Sequence, residues 1–229
     1  MRKRWPKKFV MRWNQPKRGW VSPAKFIRLA EESDLILLIG NWVLLQGCIT
    51  LARWAKQPAT SQLKLAVNVS ARQIRQDNFV EQVRQALQES GANPKLLKLE
   101  ITESLIMDNL DDTIAKMHAI KQLGVGFSMD DFGTGYSSLS YLQRMPLDQL
   151  KIDQTFVHDL VEDSQDAAIV RIILALGHSL GLTVIAEGVE TEVQRDYLTK
   201  YDCPVFQGYL FGKPMSLAEF EAHLPKLYE

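Results

Sequence analysis

The chain has 229 residues, nearly half of them apolar, and its 27 basic and 27 acidic side chains cancel. That length fits one large domain or two small ones, and zero net charge argues against a general nucleic-acid binder, which needs a field to hold a polyanion. Cys48 and Cys203 are the only cysteines, too few for a disulfide framework or a zinc site, so a reducing cytoplasm is the simple expectation.

The first eight residues hold Arg2, Lys3, Arg4, Lys7 and Lys8, a segment that reads either as a solvated terminus or as a contact for an anionic surface. It runs into Trp13, Asn14 and Gln15 rather than an apolar stretch, so no signal peptide is expected. Phe9–Arg12 is the first strand candidate. Ser22-Pro23 supplies an N-cap and a first-turn proline for a helix through Glu32. Leu35–Ala52 carries no charge and is long enough to be tested as a membrane span. Asn41 and Gln46 interrupt it and Gly40 and Gly47 weaken it, so a helix buried against a sheet is the preferred reading.

Further strands are expected at Leu63–Asn68, Leu96–Ile101, Val125–Met129, Gln149–Ile152, Leu182–Ala186 and Val205–Gln207. Each is short, apolar and mostly non-alternating, as in strands buried on both faces. Helical runs lie between them. Asn78–Ser90 ends at Gly91, Leu110–Leu123 at Gly124 and Asp166–Leu180 at Gly181, and these glycines suit a left-handed position after the helix. Thr191–Lys200 and Ser216–Leu224 complete the set. Four histidines, His118, His158, His178 and His223, all fall in helical runs and read as ordinary helix residues.

Repeated strand–helix alternation means a parallel sheet, open or closed. Polar residues cluster where the strands end: Asn68, Glu100, Glu103, Asp130, Asp131, Lys151, Asp153, Glu187 and Gln207. Contributions from six strands converge more naturally on the mouth of a barrel than on the crevice of an open sheet. Only seven strand candidates are found, one short of the eight that a closed barrel of this kind needs.

The run from Val125 to Gly135 leads a buried strand into two adjacent carboxylates and a glycine-rich turn. Strand alternation would point Asp130 and Asp131 in different directions, toward two cations, toward a cation and a water, or into turn and helix caps. Glu100 breaks an apolar strand, and an ionised glutamate there is costly unless paired or metal-bound. Carboxylates plus an amide oxygen, without thiols, favour a hard cation, Mg²⁺ or Mn²⁺.

The runs NVSARQ, LEITES, DDFGTGYSSLSYL, LKIDQTFV, AEGVET and QGYLFGKP, in this order, resemble the EAL-domain family, the bacterial cyclic-di-GMP phosphodiesterases. The resemblance divides the chain into an unmatched basic segment, 1–7, and an EAL-type domain, 8–229. It implies an α/β fold, a modified (β/α)8 TIM-like barrel with one strand antiparallel. It implies metal ligation by Asn68, Glu100, Asp130, Asp131 and Glu187 around two Mg²⁺ or Mn²⁺ ions. Lys151, with Asp153 beside it, resembles the lysine near the attacking water. Glu103 resembles the glutamate that anchors the loop Phe132–Ser138. Arg12 resembles a phosphate-binding arginine, and Glu190 and Gln207 resemble substrate-side residues. The implied reaction hydrolyses one phosphodiester of cyclic-di-GMP to linear pGpG. The implied setting is a cytoplasmic homodimer, with no nucleic-acid polymer as partner and no membrane span.

The sequence departs from the family at its start. The Glu-Ala-Leu strand corresponds to Lys8-Phe9-Val10, ahead of Met11-Arg12-Trp13, so a lysine stands where the family has a metal-binding glutamate. Seven residues precede Lys8, whereas the family's first strand lies a few dozen residues upstream. The expectation is therefore a barrel missing its first strand and one ligand. Impaired phosphodiesterase activity and a catalytically silent cyclic-di-GMP-binding or protein-interaction module both remain open.

Overall fold

The structure, a computed structural model, describes residues 7–17, 19–103, 109–134, 139–161 and 163–227. Strand β1 (Lys7–Phe9) is followed by a hairpin of β2 (Trp13–Gln15) and β3 (Gly19–Val21), then helices α1 (Pro23–Glu31) and α2 (Leu35–Trp54). The centre of the chain runs β4 (Leu65–Asn68), α3 (Ala71–Arg75), α4 (Phe79–Ser90), β5 (Leu97–Thr102), α5 (Leu110–Gln122) and β6 (Gly126–Phe132). It continues through α6 (Leu139–Arg144), β7 (Gln149–Ile152), α7 (Gln154–His158), α8 (Ser164–Ser179), β8 (Thr183–Ala186), α9 (Glu192–Lys200), β9 (Val205–Phe206) and α10 (Leu217–Leu227).

Seven strands form one sheet in the order β1-β4-β5-β6-β7-β8-β9, and every ladder in it is parallel. Consecutive strands separated by helices and paired with their neighbours are the pattern of a modified TIM-like barrel. Among the described residues no ladder joins β1 to β9. The antiparallel barrel strand implied by the resemblance is not among these seven, and the antiparallel pairing described is the β2–β3 hairpin.

Pairing register explains the interior. Ala66 faces Lys98, Lys98 faces Gly126, Asn68 faces Glu100 and Glu100 faces Ser128. With a period of two, one face therefore carries Lys98, Glu100, Ser128, Asp130 and Lys151, all buried. The other face carries Leu65, Val67, Leu97, Leu99, Ile101, Phe127, Met129, Leu150, Ile152 and Val184, also buried. The strands thus alternate more than their apolar content suggests. The outer row packs under the helices: Gly47 of α2 lies against Val67, and Gly177 of α8 against Val184.

Helix α2 is apolar because it is a core helix on one side. Ile36, Gly40, Val43, Leu44, Gly47, Cys48, Leu51 and Trp54 are buried, while Leu35, Leu38, Trp42 and Ile49 are exposed. Among the described residues it is the one helix long and apolar enough to cross a membrane. Its C-terminus is tied to α10, where Glu221 accepts from Trp54 Nε1 at 2.8 Å and also pairs with Arg53. Cys48 and Cys203 are free and buried.

Several expected boundaries shift. The first strand ends at Phe9 rather than Arg12, because only Lys7–Phe9 meets β4 before the chain turns into the hairpin. The hairpin is itself missing from the expectation, although Asn14-Gln15-Pro16 and Gly19, whose φ is +69°, carry its turn. Short helices α3 and α7 are likewise missing. Five residues are too few for a periodic signal, but Ser70 caps α3 in a reciprocal box with Gln73, and Asp153 caps α7. The glycines at 91, 124 and 181 do sit at positive φ after α4, α5 and α8, and the four histidines lie in α5, α7, α8 and α10.

Candidate active site at the strand ends

The barrel interior ends in a cluster of buried charge. Lys151, 0% exposed, stands at the centre because β7 lies between the carboxylate-bearing strands. Its Nζ is 2.8 Å from Asp130 Oδ1 and 3.0 Å from Glu100 Oε1, and it also pairs with Glu187 Oε1. Lys8 approaches from the other side of the same two acids. Its Nζ is 2.7 Å from Asp130 Oδ2 and 3.0 Å from Glu100 Oε2. Each oxygen of Glu100 and of Asp130 therefore faces an ammonium, and the four side chains close a ring of alternating charge.

The electrostatics follow from this ring. Burial alone would lower the pKa of Lys151, but Glu100, Glu187 and Asp130 outweigh it and hold the ammonium charged well above the usual lysine range. Lys8 behaves the same way: burial opposes the charge, Glu100, Asp130 and Glu187 favour it, and the pKa is raised. Asp130 is lowered, since Lys151 and Lys8 overcome its burial. Glu187 is raised by burial, which its pair with Lys151 offsets only in part.

Asp131 departs from the strand pattern. The β6–β7 register shifts between Met129 and Phe132, and Asp131 has φ +53°. Such a bulge breaks alternation, so Asp131 does not point away from Asp130 as a regular strand would require. Carboxylate oxygens of Asp130, Asp131 and Glu187 instead lie within 4.8 Å of one another. Burial, Asp130 and Asp153 push the Asp131 carboxyl up to about 6. These three acids can hold one hard cation, as their donor chemistry requires.

The other expected residues divide. Asn68 is exposed at the end of β4, in register with Glu100. Asp153 is buried and accepts from the Thr155 amide at 2.8 Å as the cap of α7. Glu103 is buried and accepts from the Gly133 amide at 3.1 Å, so it meets the start of the loop 132–138; residues 135–138 lie outside the described residues. Gln207 is half-buried beyond β9, held through its backbone by Ala186 and Val189. Arg12 and Glu190 are exposed; Arg12 donates to the Met11 carbonyl at 3.3 Å. The basic residues before Lys7 lie outside the described residues.

A cavity of about 580 Å³ opens on the cluster. Its floor includes Lys8, Asn68, Glu100, Thr102, Asp130 and Asp131, and its wall includes Met11, Phe26, Ile27, Ile36 and Ile39. That volume and the pairing of an apolar wall with a few polar groups suit a small ligand. The wall escaped the sequence reading because apolar residues of amphipathic helices look the same whether they face a core or a cavity.

A profile of the EAL domain family matches residues 8–214. The chain is 45% identical over 206 residues to the bifunctional diguanylate cyclase/cyclic di-GMP phosphodiesterase MucR of Pseudomonas aeruginosa, covering 90% of this chain and 30% of MucR. It is 41% identical over 215 residues to the cyclic di-GMP phosphodiesterase NbdA of the same species, covering 94% of this chain and 27% of NbdA. The chain thus spans about a third or less of these relatives. Among solved structures, a MucR phosphodiesterase in complex with c-di-GMP superposes with a TM-score of 0.90 at 43% identity, covering 93% of this chain and 86% of the other.

Proposed function

Because the chain belongs to the EAL domain family, we propose that it binds cyclic-di-GMP at the mouth of its barrel and hydrolyses one phosphodiester to pGpG, at a rate curtailed by Lys8. The observation that carries this reading is the cluster formed by buried Glu100, Asp130 and Lys151 with half-buried Asp131 and Glu187, of which Glu100, Asp130 and Asp131 line the 580 Å³ cavity. Its acids offer oxygen donors, and its apolar wall offers a surface for flat bases.

Asp130, Asp131 and Glu187 would hold Mg²⁺ or Mn²⁺, and Asn68, which lines the same cavity as Asp130 and Asp131, is assigned to the ligands from the resemblance. A divalent ion supplies Lewis-acid charge for the phosphoryl oxygens and lowers the pKa of water. Lys151 does the positioning. Three carboxylates converge on its ammonium, so it fixes their spacing and keeps its proton at neutral pH. Asp153 orients the segment after β7 through its cap of α7. Glu103 ties the end of β5 to Gly133, beyond β6. Arg12, Glu190 and Gln207 are assigned to the substrate side from the resemblance.

A second reading has its own observation. The Lys8 ammonium sits between Glu100 and Asp130, which favours a silent cyclic-di-GMP-binding module over an efficient enzyme. One pair of measurements separates the two: pGpG release by chromatography in Mn²⁺, and calorimetric titration with cyclic-di-GMP in chelator. Slow but Mn²⁺-dependent pGpG formation supports the first reading, and binding without any pGpG supports the second. Absence of both binding and turnover overturns both. We further assign the chain to the cytoplasm as a homodimer, with α2 a barrel helix rather than a membrane span and no nucleic-acid polymer as partner. Sedimentation of the purified chain without detergent tests the dimer and the helix together.

A further inference from the structure

We propose that the Lys8 ammonium is a built-in cation that occupies the Glu100–Asp130 cleft, so that the site takes one divalent ion, held by Asp130, Asp131 and Glu187. This deepens the phosphodiesterase reading and rests on it only for the expectation that divalent ions belong at these acids.

Two observations support the proposal independently. The first is geometric. Lys8 spans one oxygen of Asp130 at 2.7 Å and one of Glu100 at 3.0 Å, while Lys151 spans the opposite oxygens of the same acids at 2.8 and 3.0 Å. No edge of Glu100 is left without a cation against it. An ion approaching both acids from the Lys8 side would have to displace an ammonium that two carboxylates already hold. The cluster that can converge on one point shares Asp130 with this ring and adds Asp131 and Glu187, acids for which no ion pair with Lys8 is described, and the bulge at Asp131 creates their spacing.

The second is charge. Four carboxylates that pair with an ammonium or can meet one ion, Glu100, Asp130, Asp131 and Glu187, stand with two ammoniums, Lys8 and Lys151, and buried Asp153 beside Asp131 adds to their negative excess. Among the four, two negative charges remain, which one divalent ion neutralises. A carboxylate at position 8 would leave four, matching two divalent ions. A buried site far from neutrality is costly, so the residue at position 8 sets the number of ions as well as their affinity. Lys8 lies in β1 with its neighbours paired to Leu65 and Val67 and is itself in register with Ala66, so its backbone cannot readily carry the ammonium elsewhere.

The test counts ions without using nucleotide. Mn²⁺ is titrated into the full chain, and free Mn²⁺ is measured by electron paramagnetic resonance. The parent protein is expected to bind one Mn²⁺ per chain. Lys8→Glu is expected to bind two, with the two ions showing exchange coupling in the spectrum. Its first ion should bind about tenfold tighter or more, since a neighbouring positive charge becomes negative. Lys8→Gln, which keeps the length and removes the charge, guards against a misfolded Lys8→Glu and should also admit a second, weaker ion. Two equivalent ions in the parent, or none, overturn the proposal. So does a count of one in both variants with circular dichroism unchanged. Because no cyclic-di-GMP is present, failure of the phosphodiesterase reading leaves this result unaffected.

Discussion

Replacing Lys151 by methionine isolates the charge that organises the site. Methionine is unbranched and fills nearly the same space, so the loss is electrostatic rather than a cavity. In the parent, Lys151 is fully buried and pairs with Glu100, Asp130 and Glu187. Asp130 and Glu100 keep Lys8 after the change, but each loses one of its two ammoniums, and half-buried Glu187 loses the ammonium it pairs with. Breaking a buried pair by removing one partner costs about 3–5 kcal/mol, and the sharing of Lys151 among three acids places this case toward the upper end. Urea unfolding followed by tryptophan fluorescence reads the change, with five tryptophans as reporters. Lys151→Met is expected to lose about 3–5 kcal/mol at pH 7.5 with the denaturant slope unchanged. The deficit should shrink at pH 5, where the stranded acids can take protons. A loss below about 1 kcal/mol at pH 7.5 would show that the acids are solvated well enough not to need Lys151, and the account of the cluster would fail.

Asp130→Asn should weaken Mn²⁺ binding by about tenfold or more, roughly 1.4 kcal/mol; calorimetry that finds the affinity unchanged would make the cluster structural only. Gly208→Ala places a Cβ 2.2 Å from the Val189 carbonyl oxygen and 2.3 Å from its nitrogen, backbone atoms that cannot rotate away. A loss of about 3 kcal/mol or more is expected, and an unchanged urea midpoint would mean that the β8–β9 junction yields. Asp148 accepts from the Phe127 amide at 2.8 Å and from Lys121 at 2.6 Å; although burial opposes it, these partners hold its carboxyl below the ordinary range. A depressed acid contributes stability that is present above its unfolded pKa, about 3.9, and is lost as pH falls through the folded value. The Lys121 pair is partly solvated and contributes little, so the expected cost of Asp148→Asn at pH 7 is about 1–3 kcal/mol, mainly from the Phe127 amide. That difference should narrow in melts below pH 3.5; a gap constant from pH 7 to pH 3 would refute the assignment.

Local patterns made most of the architecture legible. Short apolar strands between amphipathic helices, with glycine after α4, α5 and α8, imply a parallel sheet before any packing is known, because strand and helix periods and left-handed caps are properties of a few adjacent residues. The acids of the site were legible for the same reason: Glu100 and Lys151 sit inside apolar strands, and burial makes an unpaired charge there costly. The substitution at Lys8 was visible as a departure from a pattern. Its partners were not, since the ring it closes with Glu100, Asp130 and Lys151 joins side chains 92 to 143 positions away.

Tertiary structure decided where those charges meet. Regular alternation would separate Asp130 from Asp131, and only the register shift between β6 and β7 brings their oxygens to a common point with Glu187. Arg12 and Glu190, equally prominent in the sequence, are exposed, whereas Glu100, Asp130 and Lys151 are buried, because burial depends on what packs over a strand end or loop and not on its local composition. The sequence by itself determined most of the longer elements, the glycines that end α4, α5 and α8, and the cost of burying these acids, since all three depend on local geometry and solvation. Which ammonium neutralises which carboxylate depended on the pairing register of strands distant in the chain, and that register is set by packing the apolar faces of the whole sheet at once.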